Sequence, residues 1–242
     1  MMMTSSGEMN SNSQIRRLHI YSSAEAMMQR LCQAIRRIAK EAITSRGGFH
    51  MVLSGGSTPR ELYALLTDIE ADWGNWHIWF GDERCLLPED PERNSYMAAK
   101  IWLDKVAIPD LNRHIIPAEM GLRGAKIYAR LLSGMRQFDL TLLGLGEDGH
   151  TASLFPGHVW EQSNADNPVL FVESAPKPPS QRITLSARRL SESRQVIFLV
   201  SGLAKRKALA SWLAGEHLPA SAIIPVSGVD IAVSMDAWHT GA

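Results

Sequence analysis

Cysteine is almost absent from this chain. Cys32 and Cys85 are the only two in 242 residues, which excludes a disulfide framework, offers no metal-ligand spacing and suits a reducing cytosol. A surplus of charge is missing too: Lys plus Arg and Asp plus Glu both number 25. No global field therefore draws the protein to nucleic acid or to an anionic membrane, and any anionic ligand has to be held locally. No stretch approaches the ~20 apolar residues of a membrane span. The first 14 residues, rich in Met, Ser and Asn, lack the continuous apolar core of a signal peptide and read as a disordered tail. What remains, 15–242, has enough apolar residues, with 45% hydrophobic content overall, for one α/β domain in the cytoplasm.

Strand-like runs at 18–21, 50–53, 76–80, 139–145, 169–172, 182–185, 196–200 and 229–233 alternate with helical patterns at 23–45, 59–70, 94–104, 122–136 and 203–214. That alternation predicts an α/β fold with a parallel sheet covered on both faces. In the first helix, Ala26, Met27, Leu31, Ala34, Ile35, Ile38 and Ala42 form a stripe at helical spacing, a packing face. Pro176, Pro178 and Pro179 interrupt the chain between two short strands, so 169–185 reads as a hairpin or lid. Ligands of open parallel sheets bind beyond the carboxyl ends of the strands, where glycine-rich turns gather.

The richest such turn spans residues 139–156, DLTLLGLGEDGHTASLFP, an apolar strand running into Gly144, Gly146 and Gly149 and presenting His150 two residues after Asp148. Near neutral pH an imidazole at the mouth of a cleft can take a proton from water and return it to a leaving group. On its own, a histidine there could equally tie the turn together through one hydrogen bond. A second turn, residues 54–59 (SGGSTP), follows an apolar strand and precedes a helix. Gly55 and Gly56 leave backbone N–H groups open just ahead of a helix start, and Ser54, Ser57 and Thr58 add hydroxyls, a setting for a phosphate. Thr58 as N-cap, Pro59 at the first helical position and Glu61 completing a T-x-x-E box specify where that helix begins. The Walker A ending is absent.

A third cluster closes the strand 76–80 with Gly81, Asp82, Glu83 and Arg84, placing two carboxylates and a guanidinium at a strand end. Asp82 or Glu83 could hold sugar hydroxyls or a water, and Arg84 could grip phosphate or pair with a neighbouring carboxylate. Asn94 and Ser95 follow, with either capping or a cleft role open to them. Lys177 and Arg182 flank the proline loop. Lys205 falls in the first turn of the helix after 196–200, where a cation opposes the helix dipole and calls for an anion. Arg188, Arg189 and Arg206 read as solvated surface charge. GLGEDG also fits G-x-G-x-x-G, with Asp166 placed as a ribose-binding acid, but His150 and the turn at Pro156 and Gly157 interrupt the long helix that dinucleotide binding requires.

Taken together, residues 54–59, the G-D-E-R of 81–84 with Asn94 and Tyr96, the block 144–156 and the S-G-L-A-K of 201–205 resemble the 6-phosphogluconolactonase family, in that family's order and approximate spacing. The resemblance implies a Rossmann-like three-layer α/β/α sandwich shared with glucosamine-6-phosphate deaminases. It implies hydrolysis of 6-phospho-D-glucono-1,5-lactone to 6-phosphogluconate in the oxidative pentose phosphate pathway, without metal or organic cofactor. Carried over, His150 is the general base, with Asp148 beside it and Asp82 on the polar wall. Ser54, Gly55, Gly56, Ser57, Thr58, Arg182 and Lys205 bind the phosphate, with Arg84 a further contributor and Lys177 ranked below Arg182. The expected partner is a small sugar-phosphate lactone, bound by a monomer or weak homodimer that engages neither nucleic acid nor membrane. Two competing readings stand beside it: a glucosamine-6-phosphate deaminase/isomerase, whose familiar GPDGHIAFNEPG-like block differs from the one here, and a non-catalytic sugar-phosphate-sensing domain, for which no DNA-binding segment is evident.

Overall fold

The structure, a computed structural model, describes residues 14–158 and 167–238. Residues 1–13 of the expected tail, and Asp166, lie outside them. Gln14 does not belong to a disordered tail: its amide donates to the carbonyls of Ala220 at 2.9 Å and Ile223 at 2.6 Å, and its Oε1 accepts from Trp212 Nε1 at 2.8 Å.

The elements follow in order as β1 (Arg16–Tyr21), α1 (Ala24–Arg46), β2 (Phe49–Leu53), α2 (Ser57–Leu66), β3 (Trp76–Phe80), β4 (Asp82–Arg84), α3 (Asn94–Ile101) and β5 (Arg113–His114). The second half runs α4 (Leu122–Leu131), β6 (Phe138–Gly144), β7 (Val169–Val172), β8 (Arg182–Leu185), α5 (Ala187–Ser191), β9 (Ser193–Val200), α6 (Arg206–Leu213) and β10 (Val229–Ser234). Seven strands form one parallel sheet in the order β1-β10-β9-β6-β2-β3-β5. Helices flank it on both faces, giving the three-layer α/β/α sandwich. Every residue of β10 and all but the last of β6 are buried, as strands covered on both sides must be.

Local signals explain the element ends. Ser23 caps α1 by accepting from Ala26 N–H at 3.1 Å, and Gly47 closes it in the left-handed region at φ 80°. The buried face of α1 is Met27, Met28, Leu31, Cys32, Ile35, Ile38, Ala39 and Ala42, close to the predicted stripe, with Ala26 and Ala34 only half-buried at its margin. Helices α2, α3 and α4 stop three to five residues short of expectation. Residues 103–105 and 203–205 are separate 3₁₀ turns. The short α5 went unpredicted, since five residues are too few to show a period. It also corrects the reading of Arg189, which is 3% exposed, ion-paired to Glu192 at 2.6 Å and seated over the Phe138 ring at 4.3 Å. Arg188 stays on the surface.

The expected hairpin at 169–185 is present as β7 and β8, antiparallel, and the unpredicted β4 joins them to make a second sheet ordered β4-β8-β7. The decisive feature of the topology is the adjacency of β2 and β6. From β2 the chain moves through α2 to β3 on one side, and from β6 it continues to β9 on the other. The loops leaving these two strands therefore open side by side at a switch point, where no crossover helix fills the gap.

Candidate active site

Tyr63 builds the first wall. This fully buried side chain of α2 accepts from Ser54 N–H at 3.0 Å and donates to Ser54 O at 2.9 Å, tying the end of β2 to the helix after it. Gly56, at φ 107°, turns the chain into α2, which starts at Ser57 with no side-chain cap. The expected Thr58 cap and its box with Glu61 are thus not formed, and Pro59 is the third helical residue rather than the first. The reason is Gly56 itself: its left-handed turn starts the helix early and leaves the amides and hydroxyls of 56–58 uncommitted among the described residues. Ser54 Oγ is buried and has no hydrogen-bond partner among the described residues.

The second wall is β4. Its side chains alternate, so Asp82 and Arg84 face the cleft while Glu83 turns into the protein. Glu83 is fully buried and accepts from the N–H groups of Arg84 at 2.9 Å, Asn94 at 2.8 Å and Ser95 at 2.8 Å, with Arg93 Nε at 3.4 Å. A carboxylate on the first amides of α3 satisfies the positive end of the helix. Glu83 is therefore a structural anchor, and of the two acids considered for the site only Asp82 lies in the cleft. The Asp82 carboxylate accepts from Asn94 Nδ2 at 3.1 Å and from Ser153 Oγ at 2.6 Å. Arg84 donates to Glu92 O at 2.6 Å and still borders the cleft.

The third wall is the turn after β6. Gly146 N–H donates to His150 O at 2.7 Å, closing the loop on itself, and Gly149 adopts φ 82°. Asp148 Oδ1 accepts the His150 backbone N–H at 3.1 Å and meets Nδ1 of the same ring at 2.5 Å. Burial pushes the Asp148 carboxyl up, but the hydrogen bond and charge of His150 outweigh it and hold the group below the usual carboxylate range. With Nδ1–H held by a carboxylate, Nε2 is the basic nitrogen, and it bonds to nothing among the described residues.

These walls enclose a cavity of about 200 Å³. Ser54, Gly55, Gly56, Ser57, Thr58, Asp82, Arg84, His150, Arg182 and Lys205 all line it. Apart from Glu83, the lower-ranked Lys177 and Asp148, the sequence-predicted site residues are on that surface, and Asp148 holds the ring of one that is. Arg182 is pinned by the carbonyls of Pro179 at 3.1 Å, Lys177 at 3.2 Å and Pro178 at 3.2 Å, and burial lowers its pKa against the pull of Asp82. Lys177 is not part of the cavity lining and supplies its carbonyl to Arg182. Three cations facing one carboxylate make the cavity suited to an anion. Sequence reasoning missed Ser153 and left Asn94 between two roles. Both are revealed by their bonds to Asp82, which join segments 12 and 71 residues apart. Among the described residues no group of three or more His, Cys, Asp or Glu is arranged to hold a metal ion, and no helix is long and apolar enough to cross a membrane.

A parallel α/β sandwich with an anion-suited cleft at its switch point, holding a carboxylate-bound imidazole, defines the class of protein. Residues 22–233 match the family described as Glucosamine-6-phosphate isomerases/6-phosphogluconolactonase, and the chain belongs to it. It is 38% identical over 193 residues to a 6-phosphogluconolactonase of Synechocystis, covering 76% of this chain and 78% of that one. It is 36% identical over 222 residues to the human GDH/6PGL endoplasmic bifunctional protein, covering 85% of this chain but spanning only 28% of that relative's length. The crystal structure of 6-phosphogluconolactonase from Thermotoga maritima superposes with a TM-score of 0.84 at 27% identity, covering 91% of this chain and 100% of the other.

Proposed function

We propose that residues 15–242 act as one unit that hydrolyses 6-phospho-D-glucono-1,5-lactone to 6-phosphogluconate, the lactonase step of the oxidative pentose phosphate pathway. The observation that carries this reading is that His150 and residues 54–58 line one cavity. The phosphate sits on the open amides and hydroxyls of 54–58 with Arg182, Lys205 and Arg84 as counter-charges. Holding this unreacting end turns binding energy into alignment of the carbonyl.

His150 Nε2 removes a proton from water as the water oxygen bonds to C1, and the carbonyl electrons move onto oxygen. Collapse of that tetrahedral species breaks the bond from C1 to the ring oxygen, which takes the proton from the imidazolium. The new carboxylic acid then ionises to solvent. Asp148 stabilises the imidazolium between the two steps, and Asp82 forms the polar wall beside the sugar. No step draws on a metal or organic cofactor. Balanced charge and only two cysteines support a cytoplasmic setting, and a monomer or weak homodimer suffices because one chain supplies every group named.

The test is a coupled assay on freshly generated lactone, corrected for spontaneous hydrolysis. General acid–base catalysis contributes ~10²–10⁴-fold, so His150→Ala should lower kcat by that order with little change in phosphate affinity. Undiminished turnover by His150→Ala refutes the mechanism; release of ammonia from glucosamine 6-phosphate favours the deaminase reading instead.

A further inference from the structure

One polar group in the cavity has an orientation fixed by the protein and a lone pair left over. Asn94 is 6% exposed, and its Nδ2 donates to both Asp82 O at 3.0 Å and Asp82 Oδ1 at 3.1 Å. Two acceptors on the amide nitrogen decide which way the group faces, so Oδ1 points the other way, toward the phosphate loop. It lies where a side chain at position 55 would begin: a Cβ on Gly55 would stand 1.9 Å from it. Both residues line the cavity, and Asn94 Oδ1 accepts no hydrogen bond among the described residues. The cavity is thus zoned, with donors and cations at the anion end, a basic nitrogen at the far end, and this carbonyl acceptor beside the anion end.

We propose that Asn94 is a specificity-determining residue whose Oδ1 accepts a hydrogen bond from the substrate hydroxyl nearest the phosphate-bearing carbon, the C4 hydroxyl of the lactone ring. The assignment rests on the lactonase reading. The C2 hydroxyl neighbours the carbonyl and lies toward His150, whereas C4 adjoins the carbon that carries the phosphate arm. An acceptor next to Gly55 meets the C4 hydroxyl first. A site built to hydrogen-bond a hydroxyl penalises an analogue without it, because the buried acceptor is left unpaired.

The experiment compares kcat/KM for the full lactone and its 2-deoxy and 4-deoxy analogues, each corrected for spontaneous hydrolysis, in the parent chain and in Asn94→Ala. The parent should lose roughly 10–100-fold on the 4-deoxy lactone. Asn94→Ala should lose a similar factor on the full lactone and treat the full and 4-deoxy lactones alike. A parent chain indifferent to the 4-deoxy change overturns the assignment without any variant being made. An Asn94→Ala chain that lowers all three lactones equally also overturns it, since a purely structural role predicts that result. A parent with no turnover of the full lactone strikes the lactonase reading itself, and with it this one.

Discussion

Gly146 and His150 occupy each other's space: a Cβ on Gly146 would stand 2.0 Å from His150 Nδ1 and 2.6 Å from Asp148 Oδ1. The imidazole reaches its carboxylate only because position 146 has no side chain. Gly146→Ala should therefore separate the pair, with kcat falling toward the level of His150→Ala while the melting temperature changes little, because the turn lies at the cleft and not in the core. Kinetics and a thermal melt on the same preparation check it. Full activity in Gly146→Ala would show that the contact between His150 and Asp148 is dispensable.

Lys205 carries the clearest binding prediction. It lines the cavity at the start of α6 and makes no ion pair among the described residues. A cation at a helix start is unfavourable unless an anion joins it. Lys205→Ala should raise KM about 10–100-fold, the worth of one charge-assisted hydrogen bond, and weaken competitive inhibition by inorganic phosphate in step. A fall in kcat at constant KM contradicts the phosphate role.

Glu83 tests the frame behind the site. Removing it orphans three backbone donors and leaves Arg93, 1% exposed, with Glu119 at 2.9 Å as its one carboxylate partner among the described residues. Breaking a buried pair this way costs about 3–5 kcal/mol, so Glu83→Ala should lower Tm by on the order of 10 °C. Glu83→Gln, which keeps an acceptor oxygen, should lose less. A melting temperature matching the parent's for Glu83→Ala would remove Glu83 from the frame.

Acid stability follows from a histidine ladder at the far edge of the sheet. His50 on β2 and His77 on β3 stack at 4.4 Å, and His114 on β5 stacks on His77 at 5.7 Å and on Trp79 at 3.8 Å. Burial, reinforced by the neighbouring histidines and opposed at His50 by Asp139, pushes His50 and His114 down to about 4 from the ordinary 6.5. The unfolded chain binds these protons first, so stability is complete above about pH 6.5, falls as the pH drops, and levels off below about 4. The loss should amount to a few kcal/mol, since both rings are partly solvated. Urea unfolding at pH 7, 6 and 5 measures it, and His114→Phe, which keeps the stacking, should flatten the dependence. An unchanged slope in His114→Phe would locate the acid sensitivity elsewhere.

Much of this was legible before any coordinates. The strands at 76–80, 169–172 and 182–185 match their predicted limits because apolar β-rich runs bounded by turn residues have few other ways to be buried. His150, Asp148, Asp82 and residues 54–58 stood out because glycine and polar residues straight after a buried strand are costly unless they serve a site. The failures have three causes. Thr58 as a cap lost to Gly56, whose backbone geometry competes two residues earlier. Arg189 looked like surface charge because its partners, Glu192 and Phe138, are supplied by packing. Short elements such as β4, β5 and α5 carry too few residues to show a period.

The amino-acid order alone determined the alternation of strands and helices, the glycines that bend the loops, and the pairing of Asp148 with His150 two residues away, since local sterics and short-range hydrogen bonds act along the chain. Only the tertiary structure decided that the loops after β2 and β6 open side by side, that Asn94 and Ser153 clasp Asp82, and that Glu83 faces inward beside it. Those depend on strand order and on which face a side chain takes, and both are settled by long-range burial rather than by any neighbour in sequence.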